Sequence, residues 1–194
     1  MIILASTSAT RRTMLSNAGI SFTAVASDVD ERALAASHPE WSPSDLALHL
    51  AEAKALDVAS RNPGALVVGA DQVLALGSRT YSKPKDEADC AASLRDLRGK
   101  THQLISAVVC ATGNTIAWSA TDHADLTMRN FTDEFLATYV KAMGPDCRTS
   151  VAGYKIEGLG IQLFEKVDGD HFTILGLPLL PLLGYLRGRG EIAS

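Results

Sequence analysis

Leu66-Val67-Val68-Gly69-Ala70 is an unbroken apolar run that meets Asp71-Gln72 without warning. A short run of this kind, lacking polar alternation, suits a strand buried on both faces. Such a strand needs helices to cover it, and the chain supplies them. Met1–Ala5 is a second short buried-strand candidate, and Ser8 is placed to cap a helix over 9–18 that Gly19 ends. Another strand is predicted near 22–26. Ser42-Pro43 opens a helix to about Ser60, stopped by Asn62-Pro63-Gly64. Asp86 caps a helix to about Arg98, and Thr132 caps an amphipathic one through Phe135, Leu136, Tyr139, Val140 and Met143. A strand over 102–111 turns at Gly113-Asn114 and returns through Ala120, with further strand over 124–128. Another strand is expected near 161–167, and a terminal helix near 178–187. Strands alternating with helices around a central hairpin predict an α/β fold: one domain over 1–194, with two lobes, a mixed β-sheet flanked by helices, and a central cleft at the strand ends.

Composition narrows the partners. Apolar residues make up 46% and charged residues 21% of the 194-residue chain, which argues against disorder. With 18 basic and 22 acidic residues the net charge is −4, so nucleic acid is not an expected partner. No apolar stretch reaches the ~18 residues that span a membrane; the greasiest, Ile174–Leu186, contains Pro178 and Pro181. No basic region precedes the first apolar run, so no secretory signal is expected. Cys90, Cys110 and Cys147 lie far apart and read as buried thiols of a reducing compartment, making a cytoplasmic location the expectation.

Several polar residues stand out against this background. Ser6-Thr7-Ser8-Ala9-Thr10-Arg11-Arg12 joins a strand to a helix start, where free N–H groups favour phosphate. Ser8 adds a hydroxyl, and Arg11 and Arg12 can fork around phosphate oxygens. Lys54 continues the row Leu46, Leu50, Val58 on one helix face; it either snorkels outward or aims its ammonium at an anion. Asp71 is expected at the carboxyl end of its strand, where α/β sheets bind ligands. If the strand continues, Asp71 and Gln72 face opposite sides, whereas a turn there would relax that constraint. Lys83 sits in a loop stiffened by Pro84. Asp28-Val29-Asp30-Glu31 clusters carboxylates that suit either a hard cation or a solvated turn. Gly158-Leu159-Gly160 lacks the third glycine of a dinucleotide fingerprint, and no Gly-Lys-Ser/Thr loop exists, so Rossmann and P-loop readings fail. Cations, a strand acid and paired carboxylates together fit hydrolysis of a nucleotide phosphoanhydride.

Leu4-Ala5-Ser6-Thr7-Ser8-Ala9-Thr10-Arg11-Arg12 resembles the opening motif of the Maf family of nucleoside triphosphate pyrophosphatases. Val29-Asp30-Glu31, Ala53-Lys54-Ala55, Gly69-Ala70-Asp71-Gln72-Val73 and Ser82-Lys83-Pro84 also match. So do Gly153-Tyr154-Lys155-Ile156-Glu157-Gly158-Leu159-Gly160 and Gly176-Leu177-Pro178-Leu179. The resemblance implies cleavage of a nucleoside triphosphate to its monophosphate and pyrophosphate by an inosine-triphosphatase-like fold. It further implies a divalent metal cation (Mg2+, Mn2+ or Co2+) and a homodimer. By motif position Asp71 is the proton acceptor; Ser8, Arg11, Lys54 and Lys83 hold phosphates, and Glu31 stands with Asp71 on the metal side. Gln72 and Glu157 resemble the branch that prefers 7-methyl-GTP. That branch carries an aromatic where Thr10 stands, and Ala9 replaces the usual proline.

Two rival expectations differ in class. Asp28 and Asp30 have the spacing of a haloacid-dehalogenase-type phosphatase, although Arg32 departs from its motif. A non-catalytic nucleotide-binding regulator linked to cell division would keep the same pocket residues.

Overall fold

The computed structural model describes residues 1–193. In chain order its elements are β1 (Ile2–Ala5), α1 (Ala9–Asn17), β2 (Phe22–Ala24), α2 (Glu31–Ser37), α3 (Pro43–Ser60) and β3 (Leu66–Leu76). Then follow β4 (Arg79–Tyr81), α4 (Glu87–Leu97), β5 (Thr101–Thr112), β6 (Thr115–Met128) and α5 (Asp133–Met143). Three short 3-10 segments (Gly144–Arg148, Val151–Gly153 and Leu159–Leu163) lead to β7 (Phe164–Asp168), which α6 (His171–Ile174) and α7 (Leu179–Gly188) follow. The strands form one mixed sheet in the order β2-β1-β3-β5-β6-β7, with β4 paired to β3. β1 runs parallel to β2 and β3, while β4 and β7 run antiparallel to their neighbours.

The helix boundaries follow from caps. Ser8 accepts from the Arg11 N–H, and Ser42 and Asp45 form a reciprocal capping box with Pro43 in the first turn of α3. Asp86 and Thr132 cap α4 and α5. Gly19, at φ +74°, takes the left-handed conformation after α1 that a side chain would oppose. Pro181 falls in the first turn of α7, where a missing N–H costs nothing.

Four expectations need correction. β3 does not end at Asp71-Gln72 but continues to Leu76, because its apolar pattern resumes at Val73 and β4 pairs with it at Leu74, Ala75 and Leu76. Asp71 therefore lies inside the strand. β6 runs unbroken from Thr115 to Met128, so the strand expected over 124–128 is present and no break at 121–123 separates it from the strand before. Residues Leu159–Leu163 form a 3-10 turn, and only Phe164–Asp168 is strand. The acidic run opens a helix, α2, which sequence periodicity did not reveal.

The chain divides into two compact units. The first comprises Met1–Gln72, Ile105–His123 and the chain from Asp170 onward; the second comprises Val73–Leu104 and Ala124–Gly169. In the first unit, Ile2, Leu4, Leu66, Val68 and Ala70 pack with Leu15, Leu177, Leu182 and Leu186 in one core. Alternation along β3 sends Val67, Gly69 and Asp71 to the other face. There α3 approaches so closely that a β-carbon on Gly69 would lie 2.4 Å from the Ala51 carbonyl oxygen and 2.8 Å from the Ala55 β-carbon. The second unit buries Leu94, Leu97, Leu104, Leu126, Met128, Leu136 and Leu163.

Gly69→Ala is expected to force α3 away from β3 and cost about 1–3 kcal/mol of stability. Urea denaturation measures this as a lowered midpoint; an unchanged midpoint contradicts the close approach.

Candidate active site

Each side chain of the site is delivered by a separate element of the first unit. β3 turns Asp71 toward α3, and the contact at Gly69 brings Lys54, one turn along from Ala51, within reach. The Lys54 ammonium lies 2.6 Å from Asp71 Oδ1 and 2.9 Å from Glu31 Oε2. Lys54 and Asp71 are both buried, at 8% and 7% exposure, while Glu31 is half exposed. Lys54 does not snorkel: a buried carboxylate satisfies its charge.

The acidic run separates into three roles. Asp30 accepts from the Arg32 and Ala33 N–H groups and caps α2. Asp28 pairs with Arg61 at 3.1 Å on the surface. Capping by Asp30 places Glu31 at the first position of α2, and it alone of the three reaches Lys54. The two-aspartate reading of a dehalogenase-type phosphatase thus finds one aspartate capping a helix and the other in a surface ion pair.

Arg11 approaches from α1. β1 is in register with β3 only as far as Ala5 opposite Gly69, and the next carbonyl of β3, that of Ala70, accepts from Arg11 Nη1 at 2.9 Å. Arg11 Nε donates to the Gly176 carbonyl at 2.8 Å. Two of the three guanidinium nitrogens, Nε and Nη1, are therefore held by main-chain carbonyls, in the electrostatic reach of Asp71 and Glu31. Burial lowers the Arg11 pKa from its ordinary value, and the two carboxylates oppose that shift. Burial pushes the Asp71 carboxyl above its ordinary value, against the pull of Lys54 and Arg11. A carboxylate so placed accepts a proton more readily than one in water.

Gln72 faces the opposite side. Its amide nitrogen donates to Ser106 Oγ at 3.1 Å, the Thr173 carbonyl at 3.1 Å and the Ile174 carbonyl at 2.9 Å. Ser106 Oγ donates to the Thr173 carbonyl at 2.8 Å, and Thr173 Oγ1 donates to Asp122 at 2.7 Å. This network brackets β3, β5 and α6 immediately behind the acid.

The family described as Maf-like protein matches residues 1–189. The chain belongs to the Maf family. Among its relatives, a protein of Rhizobium etli named 7-methyl-GTP pyrophosphatase is 48% identical over 193 residues, covering 98% of this chain and 97% of that one. One from Bradyrhizobium diazoefficiens, named nucleoside triphosphate pyrophosphatase, is 48% identical over 192 residues, covering 99% and 95%. A solved structure of a Mycobacterium abscessus dITP/XTP pyrophosphatase aligns with TM-score 0.42 and 16% identity, over 98% of this chain and 95% of that one.

Within this Maf-family chain, the structure gathers Arg11, Glu31, Lys54 and Asp71. Ser8 stands at the N-terminus of α1, its hydroxyl oxygen accepting from the Arg11 N–H at 3.3 Å. Thr10 is half-buried on α1 and Arg12 is exposed. Lys83 and Glu157 belong to the second unit, both exposed, on the β4–α4 loop and on the turn that Gly158 closes by donating its N–H to the Lys155 carbonyl at 3.2 Å. Sequence reasoning missed Ser106, Thr173 and Asp122 behind Gln72. A faint signal existed in Ser106, a lone hydroxyl within the apolar run of β5.

Among the described residues no cluster of three or more His, Cys, Asp or Glu side chains could hold a metal ion. Glu31 and Asp71 nevertheless converge on one cation, Lys54, and offer hard oxygen donors. Two carboxylates completed by substrate phosphates suit magnesium-like ions.

Lys54→Met is expected to raise the Asp71 pKa further, since the neutral form no longer competes with an adjacent ammonium. A carboxyl carbon NMR titration reads this directly; an unmoved titration would remove Lys54 as the group that keeps Asp71 ionised.

Proposed function

We propose that this chain hydrolyses a nucleoside triphosphate to the monophosphate and pyrophosphate, with 7-methyl-GTP as a preferred substrate. The observation that carries the reading is the buried Lys54–Asp71 pair, beside Arg11 and Glu31. A structural ion pair could equally be replaced by apolar side chains at little cost in stability. Its presence beside a helix N-terminus and a second carboxylate supports a site for a polyanion and water.

In this mechanism water adds across the phosphoanhydride between the α and β phosphates. Asp71 takes a proton from that water. Lys54 keeps Asp71 ionised until then and is close enough to share its charge with a phosphate oxygen. Ser8, the N–H groups at the start of α1 and the remaining Nη2 donors of Arg11 bind phosphate, with Arg12 as a further cation; Lys83 is assigned to phosphate by its motif position alone. Glu31 and Asp71 would hold a divalent cation (Mg2+, Mn2+ or Co2+), which when bound neutralises phosphate charge. Glu157 contributes a negative charge suited to a cationic methylated guanine, a preference in keeping with the names of several relatives. With its amide nitrogen engaged by three acceptors, Gln72 serves the site by bracing β3. Thr10 leaves the α1 face without an aromatic platform. The three free, buried cysteines support a reducing, cytoplasmic setting; homodimer formation is an expectation from the family resemblance, testable by light scattering.

The deciding experiment incubates the protein with a panel of nucleoside triphosphates, including 7-methyl-GTP, under each of the three metals. Pyrophosphate as product is expected. Orthophosphate points to a phosphatase, and binding without turnover assigns the chain to a nucleotide-binding regulator. Asp71→Asn is expected to lower kcat at least a hundredfold with nucleotide affinity largely retained; near-wild-type turnover removes Asp71 from the chemistry. Glu157→Gln is expected to narrow the preference for 7-methyl-GTP over GTP, and an unaltered ranking refutes its role.

A further inference from the structure

Among the described residues only two buried side-chain polar atoms lack a hydrogen-bond partner, His102 Nδ1 and Ser150 Oγ. Both belong to the second unit, and both adjoin one stretch of backbone. Buried polar atoms are normally satisfied, so each exception needs a reason. The stretch is also where the only non-glycine residue with positive φ occurs among the described residues: Ala152, at φ 55°, fully buried. A β-carbon opposes that conformation, and such strain persists only where surrounding contacts over-determine it.

Those contacts are specific. The Ala152 N–H donates to the Ser82 carbonyl at 3.3 Å. The Gly153 carbonyl accepts from Tyr139 OH at 3.3 Å and from the Cys90 thiol at 3.7 Å. Gly153 has no room for a side chain, since a β-carbon would fall 2.2 Å from Cys90 Sγ. The Tyr154 hydroxyl meets His102 Nε2 at 2.8 Å, with both residues buried and Phe164 packed edge-on against Tyr154. Burial holds the His102 pKa down to about 4, so the ring is neutral near pH 7, and its one engaged nitrogen is the one facing Tyr154. An apolar residue at position 102 would avoid the orphaned Nδ1. The imidazole is explained by the hydroxyl it meets.

Two exposed side chains issue from the backbone held in this way. Lys83 directly follows Ser82, whose carbonyl Ala152 grips. Glu157 lies on the turn that starts one residue after Tyr154 and is closed tightly, because a β-carbon on Gly160 would lie 2.4 Å from the Lys155 carbonyl oxygen. We propose that His102 and Tyr154 are positioning residues whose buried hydrogen bond fixes the strained 150–154 segment and, through it, the backbone that carries Lys83 and Glu157. This rests on the reading of Lys83 and Glu157 as substrate-contacting groups.

The test measures affinity for a non-hydrolysable nucleoside triphosphate analogue by calorimetry, beside turnover of the natural triphosphate by the unmodified protein. Tyr154→Phe keeps the ring and removes the hydroxyl; it is expected to weaken affinity about tenfold while kcat stays within about twofold. His102→Leu is expected to reproduce that loss, and His102→Gln, which can still reach the hydroxyl, to restore affinity. Lys83→Ala combined with Tyr154→Phe is expected to weaken affinity no more than the stronger single variant, because one acts through the other. Amide exchange at Ala152 is expected to quicken in Tyr154→Phe and His102→Leu. Additive losses, unchanged affinity in Tyr154→Phe, or an effect confined to kcat would overturn the proposal, as would a Lys83→Ala variant that binds as well as the unmodified protein. Absence of pyrophosphate release by the unmodified protein sinks the hydrolase reading alone, since the affinity cycle still judges the positioning.

Discussion

The site depends on one buried ion pair, Lys54 with Asp71, and that pair depends on the absence of a side chain at Gly69. Burying two charges is unfavourable unless their geometry is tight, and leaving one without the other typically costs about 3–5 kcal/mol. The 2.6 Å contact meets that condition, but only because α3 lies against β3 with Ala51 and Ala55 facing bare backbone. Glu31 completes the arrangement from the water side. Its place is set by Asp30, whose capping of α2 decides where that helix begins. The electrostatics of the site thus rest on a packing contact and a helix cap, neither of which carries charge into it.

Strand parity then divides labour between neighbours. Asp71 faces α3 and Gln72 faces α6, as the pleat requires. The two were open to joint contact with one ligand had the chain turned there; the unbroken β3 excludes this. The acid works on one side while the amide ties β3 to β5 and α6 on the other. Arg11 joins these halves, bonding the Ala70 carbonyl beside the acid and the Gly176 carbonyl near the bracket.

Much of this was legible. Ser8, Ser42, Asp86 and Thr132 were readable as caps because capping is local, settled within a few residues of chain. The motif positions of Lys54 and Asp71 were readable too, though whether Lys54 would reach inward was not. That outcome hung on Gly69, a contact between segments fourteen or more residues apart. The local pattern ends β3 early because two polar residues interrupt its apolar run; their partners, Lys54 on one face and Ser106 and Thr173 on the other, come from distant sequence and are invisible to it. The same holds for Ile161-Gln162-Leu163, which alternate like a strand but are drawn into a tight turn by Gly160 against Lys155. The local pattern shows Arg11 only as a phosphate fork, and nothing near it in sequence reveals that main-chain carbonyls claim its Nε and Nη1.

β3 carries its acid in mid-strand, between the end of the β1 pairing at Gly69 and the start of the β4 pairing at Leu74, rather than hung from a loop. Asp71 is consequently positioned by the backbone of a strand and not by that of a turn. A change that moves this carboxylate must therefore move the strand that carries it, whereas the surrounding turns can be rewritten with the acid left in place.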